Sequence, residues 1–276
     1  MGNRESAAGV VNRRRAYFEC RYGQLHVRTA FPSTGGFDER VALVCLHESP
    51  RSSRTFDGFL PAIATDRSVY ACDTPGFGES DPPAAPPSIV DYAAAIGDFL
   101  DALRLREADV LGVGTGAMIA VELGIARARA IRRLVLASLP LATGALREVW
   151  QRDAAPVAPA ADGSHLLREW QRSRLVRGSG EPLEHFAAGF VEELQSAPRA
   201  IWAIDATCAW DAAGRLPLAT QRTLVLRPRD AHWDQAPRVR TLLRDGTLEE
   251  LPEQGDGMFA LQSAGIASRV RRFLDY

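Results

Sequence analysis

Between Val41 and Leu141 the hydrophobic pattern switches repeatedly between two periods. "ERVALVCLHESP" is a continuous apolar run that ends in polar residues, as expected of a strand buried on both faces. "RSVYACDTPGFGESD" repeats the idea, with a strand feeding a loop rich in Gly and Pro. "SIVDYAAAIGDFLDALRL" has helical spacing and places Ser88 as N-cap. The strand "ADVLGVG", the helix "TGAMIAVELGIARA" and the strand "IRRLVLASLPL" follow. Strand and helix in alternation predict a parallel sheet with helices on both faces. Upstream, "RAYFECRYGQLHVRTAF" reads as a hairpin of two strands turning about Tyr22-Gly23.

From about Pro140 to Pro217 the alternation stops. "ATGALREVWQRDAAPVAPAADGSHLLREWQRSRLV" is helical in pieces, with a break of Pro, Ala and Gly in its middle. The sheet pattern resumes in "RTLVLRPRD" and "GTLEELPEQGDGMF", and the chain closes on the helix "LQSAGIASRVRRFLDY". The expected organisation is a core from residues 1–139 and 218–276, with a helical cap inserted at 140–217. "DPPAAPPS" is a short stiff loop, and there is no internal repeat.

Composition narrows the function classes. The 276 residues are 46% hydrophobic and 24% charged, an ordinary globular balance. A formal net charge of -1 supplies no field that favours nucleic acid or an anionic membrane. All 33 basic residues are Arg, and the 5 His are scattered. The 4 cysteines, Cys20, Cys45, Cys72 and Cys208, lack the C-x-x-C spacing of a metal site or redox pair. Cys45 and Cys72 fall in apolar strands and read as small buried hydrophobes. The first residues lack a signal-peptide core but fit the short M-G-x-x-x-S myristoylation pattern. No run approaches the roughly 20 apolar residues of a membrane span. The expectation is a cytoplasmic protein without metal or cofactor, whose partner is an apolar small molecule and neither nucleic acid nor membrane.

The chemistry is concentrated in "DVLGVGTGAMIAVELG", Asp109 to Gly124. This has the shape of a strand, a glycine-framed turn and a helix. In the pattern G-x-S-x-G the centre of that turn is a serine nucleophile. Here the centre is Gly114. Three further stretches fall in order around it: "CLHE" (Cys45 to Glu48), "DTPGFGESD" (Asp73 to Asp81) and "GDGMF" (Gly255 to Phe259). With these four motifs on those elements, the chain resembles the α/β-hydrolase superfamily over nearly its whole length. The family has H-G after its third strand, a D-x-P-G-x-G-x-S loop, the nucleophile elbow and G-H-G-x-F.

What the resemblance implies is an α/β-hydrolase fold with a mostly parallel central sheet and a helical cap. It also implies a triad that this sequence does not supply. The nucleophile position falls at Gly114 and the histidine position at Asp256. The acid position falls at Asp230 or Ala231, and the second residue of the oxyanion H-G pair is Glu48. An acid alone cannot activate a serine that is absent. The oxyanion donors would be the backbone N–H of Thr115 and one near Glu48. His47 would bond loop backbone, and Asp73 would hold the loop that follows it.

Two carboxylates thus stand where the family has glycine and histidine. If Glu48 and Asp256 face one cavity, one can donate a proton while the other accepts, the division needed for general acid–base work. Gly114 would clear a small volume beside them. The alternatives are concrete: Glu48 pointing outward to Arg51 or Arg54, Asp256 capping its own turn, Thr115 capping the helix. Asp230 and His232 either support Asp256 or lie in a solvated loop. Trp150 and Trp210 are the candidate apolar contacts from the insertion, which also carries Trp170, Trp202, Phe186 and Phe190. The expected activity is a cofactor-free lyase, cyclase, isomerase or water-activated hydrolase step on an apolar metabolite, as in natural-product tailoring. The alternatives are a non-catalytic ligand-binding pseudoenzyme, or a hydrolase whose nucleophile lies elsewhere.

Overall fold

Eight strands form one sheet in the order β1-β2-β4-β3-β5-β6-β7-β8. They are β1 Val11–Cys20, β2 Gly23–Pro32, β3 Arg40–Leu46, β4 Arg67–Cys72, β5 Ala108–Val113, β6 Ile131–Ala137, β7 Arg222–Pro228 and β8 Gly246–Leu251. The computed structural model describes residues 11–33, 39–142, 144–153, 155, 157–177 and 181–276, so the N-terminal lipidation pattern lies outside the described residues. β2 runs antiparallel to both β1 and β4, and every later pairing is parallel. The hairpin turns where the sequence places it, with Cys20 opposite Gly23.

The continuous apolar strands are apolar because both sheet faces are covered. Successive residues of β3 go to opposite layers. Val44 and Leu46 pack with Ile96, Phe99 and Met118, while Leu43 and Cys45 pack with Phe56, Phe59 and Phe259. The first layer is supplied by α2 (Ile89–Ala102) and α3 (Thr115–Ala126). The second is supplied by α1 (Phe59–Ile63), α9 (Met258–Leu261) and α10 (Ser263–Asp275). α2 starts at the predicted N-cap: the Ser88 hydroxyl accepts from the Asp91 N–H, and the Asp91 carboxylate accepts from the Ser88 N–H.

Between β6 and β7 lie α4 (Gly144–Asp153), α5 (Ser164–Arg177), α6 (Leu183–Ala209) and α7 (Ala212–Arg215), and α8 (Ala236–Leu242) follows β7. Trp170, Phe186 and Phe190 pack on one another, with Trp170 4.7 Å and 5.1 Å from the other two ring centres. They form a small core for the insertion itself. Three short helices, α1, α8 and α9, have no counterpart in the sequence pattern. None has a side-chain N-cap and all are short, so the local helical pattern is too brief to stand out. No helix of the described residues is long and apolar enough to cross a membrane.

Candidate active site

β5 delivers the chain to Gly114, and α3 begins at the next residue. Gly114 has φ 55° and ψ -121°, a conformation that costs a side-chain-bearing residue free energy. Gly116 is required for a different reason: a β-carbon there would stand 2.2 Å from the Leu46 carbonyl oxygen. The elbow therefore keeps its strained geometry with glycine at its centre. The space beside it is smaller than the sequence suggests. A β-carbon at position 114 would lie 2.8 Å from the Glu48 Cβ, so Glu48, rather than open volume, adjoins the side-chain site.

The loop after β3 is fixed from several sides. The buried His47 ring donates from Nδ1 to the Glu48 carbonyl at 2.9 Å and accepts at Nε2 from the Thr74 N–H at 2.9 Å. The Thr115 hydroxyl accepts from the Ser49 N–H at 2.8 Å and donates to the Ser49 hydroxyl at 3.2 Å. Thr115 is thus not the helix cap, because Gly114 holds that position; its hydroxyl ties the loop to the elbow. The Glu48 carboxylate accepts from the Thr55 hydroxyl at 3.3 Å. Arg51 and Arg54 pair instead with Glu181 and Glu79.

Asp73 anchors the neighbouring loop as expected. It accepts from His26, at 2.8 Å, and from the Ser53 and Glu79 N–H groups at 2.6 Å and 2.9 Å. Burial raises its pKa, but these hydrogen bonds and the nearby His47 outweigh that and hold it at about 2. The Asp73 carboxylate also fills the space against Gly78, whose φ is 56°.

These loops enclose a cavity of about 570 Å³ at the carboxyl ends of the strands. That volume suits a small organic molecule. Glu48, Gly114, Thr115, Asp230, His232 and Asp256 all line it, and Val113, Ile204, Met258 and Phe259 supply apolar wall. Asp256 comes from the loop before α9, where Gly257 has φ 78°. Asp230 and His232 are not a solvated loop. One Asp230 oxygen accepts from the His232 N–H at 2.8 Å and the other from the Ser138 hydroxyl. Burial lowers the His232 pKa, against the charge of Asp230 and a hydrogen bond with Gln235. Among the described residues, no group of three or more His, Cys, Asp or Glu is arranged to hold a metal ion.

The two candidate tryptophans separate. Trp150 lines the cavity and meets the His232 ring edge-on, with centres 6.0 Å apart. Trp210 does not line it. Its indole N–H donates to the buried Glu122 carboxylate at 2.7 Å, beneath the end of α6, and its ring joins the core above α3. A buried indole goes where an acceptor satisfies its N–H, and that acceptor is Glu122. Ser138, Asp57, His185 and Glu192 also line the cavity and escaped the sequence reading. Ser138 sits in "LASLP" without any motif, and the others lie on segments whose facing direction depends on packing.

Sheet order, elbow and loop placement together define an α/β-hydrolase fold. Residues 43–268 match the sequence profile of the alpha/beta hydrolase family, and the chain belongs to that family. Over 100 residues it is 38% identical to the 2-hydroxymuconate semialdehyde hydrolase of Pseudomonas sp. (strain CF600), covering 33% of this chain and 34% of that one. The chain thus spans about a third of the length of that relative. A hydrolase from Pseudomonas aeruginosa PA01 superposes with a TM-score of 0.76 at 20% identity, covering 95% of this chain and 98% of that one. The enol-lactonase from Burkholderia xenovorans LB400 gives 0.73 at 18% identity, covering 95% and 100%. At such identities these structures are alike in fold.

Proposed function

We propose that this chain is a cofactor-independent enzyme that moves protons and positions water with Glu48 and Asp256, in place of an elbow nucleophile, on a mostly apolar small molecule. The observation that carries this reading is the 2.8 Å approach of the Glu48 Cβ to the side-chain site of Gly114. The Glu48 side chain thus leaves its loop against the nucleophile's own place, in a cavity that Asp256 also lines. One carboxylate gives its proton to the leaving atom, and the other positions the water or takes a proton from substrate. The start of α3 adds N–H groups and the positive end of a helix dipole, which favour a developing negative oxygen.

Hydrolysis by activated water is the preferred step. The relative from Pseudomonas sp. (strain CF600) is named a hydrolase, and the structural neighbours include a hydrolase and an enol-lactonase. Lyase, cyclase and isomerase steps draw on the same proton transfers and are the other arms of the test.

The test is turnover of a panel of aryl esters, lactones and enolisable ketones by the full chain, with Glu48→Gln and Asp256→Asn alongside. Each variant is expected to lose about 10²–10⁴ in kcat/KM, the usual worth of a placed proton transfer. A fluorophosphonate probe is expected to leave the protein unlabelled. Unchanged turnover in both variants would end the acid–base reading, and tight binding of a compound recovered intact would make the chain a binding protein.

A further inference from the structure

The strand beside the elbow ends in a second strained residue. β5 and β6 pair Val113 with Ala137, and the Gly114 N–H donates to the Ala137 carbonyl at 3.0 Å. The next residues, Gly114 and Ser138, therefore leave the sheet side by side. Gly114 has φ 55° and Ser138 has φ 54°. Glycine tolerates that value, whereas serine pays for it and keeps it only where surrounding contacts over-determine it. Both residues line the cavity. The Ser138 hydroxyl donates to Asp230, whose other oxygen is held by the His232 N–H. With its hydrogen committed to Asp230, the Ser138 oxygen has lone pairs to offer and no hydrogen.

We propose that Ser138 and Asp230 form a proton relay for a water on the cavity floor beside Gly114, so that the hydroxyl of this site stands one strand away from the elbow and receives a proton instead of attacking. The water oxygen bonds to the electrophilic carbon. Its proton passes to the Ser138 oxygen as the Ser138 proton passes to Asp230. The electron pair of the breaking carbon–heteroatom bond goes to the leaving atom, which takes a proton from Glu48 or Asp256. Ser138 ends unchanged, Asp230 returns its proton to solvent, and the carboxylate that served the leaving atom takes one back from solvent. The last transfer rests on the acid–base reading above; the seat of the water does not.

The experiment is crystallography of the full chain, wild type and Ser138→Gly, joined to kinetics and probe labelling. Ser138→Gly is chosen because glycine keeps a φ near 54° without strain, so the loop should fold unchanged. An ordered water within hydrogen-bond reach of the Ser138 oxygen is expected in the wild type and absent in the variant. With a p-nitrophenyl butyrate or aryl lactone substrate, the variant should lose about tenfold or more in kcat with KM nearly unchanged. Its solvent deuterium isotope effect should shrink as one moving proton is lost. A wild-type cavity without water at Ser138 overturns the relay. So does a fluorophosphonate adduct on Ser138, which would make the serine the attacking group. Full turnover in Glu48→Gln and Asp256→Asn, with the water still in place, instead overturns the acid–base reading and leaves the relay standing.

Discussion

A β-carbon at position 114 would stand 2.8 Å from the Glu48 Cβ, so side chains at 48 and 114 compete for one place. Restoring the family's serine alone should not restore a serine hydrolase. Gly114→Ser meets both that contact and the left-handed backbone, and is expected to cost about 1–3 kcal/mol in urea unfolding. Adding Glu48→Gly should recover about half of the loss, leaving the backbone strain. A double-mutant cycle with no coupling between the two positions would show that Glu48 does not crowd the elbow. The glycine at 114 and the glutamate at 48 are each plain in the sequence. Their mutual exclusion is not, because they are brought together only by the approach of the β3 loop to the β5 turn.

The elements differ in how much of their role is local. α3 is buried from Thr115 to Gly124, and its apolar run on all sides announces a helix enclosed by sheet and neighbours. Its one acid, Glu122, is bound by Trp210 and Arg215, which join the far end of the insertion to the elbow helix. Aromatic content alone placed Trp210 in the roof of the cavity. The direction in which a helix end points its indole is decided by the acceptor it finds, here a carboxylate 88 residues away in the chain. Trp210→Phe removes a hydrogen bond to a buried charge and should lower unfolding stability by about 2 kcal/mol. It should leave KM for any substrate unchanged, whereas Trp150→Ala should raise KM by about tenfold or more through lost apolar contact. Equal effects on KM from the two variants would contradict the assignment of Trp150, but not Trp210, to the cavity wall.

At the scale of the whole molecule, two titratable groups give stability a pH dependence with one sign. His232 is held below the ordinary histidine value by burial, so the folded state resists its protonation. Stability should therefore be full above about pH 6.5 and decline as pH falls below it. Asp73, lowered from 3.8 to about 2, contributes stability that is present above its unfolded value and lost as pH falls through about 2. That contribution is about 2 kcal/mol. Melting temperature measured against pH should fall in two stages, the first absent in His232→Gln and the second absent in Asp73→Asn. A single stage unaffected by either variant would contradict both assignments. The sequence by itself determined the sheet, its helical coverings, the insertion and the glycine elbow, because hydrophobic period, caps and turn residues act over a few neighbouring positions. Only the tertiary structure decided that Glu48, Gly114, Ser138, Asp230 and Asp256 line one cavity and that Trp210 does not. Those walls are drawn from the ends of different strands, and which way each side chain faces is set by packing partners remote in the chain.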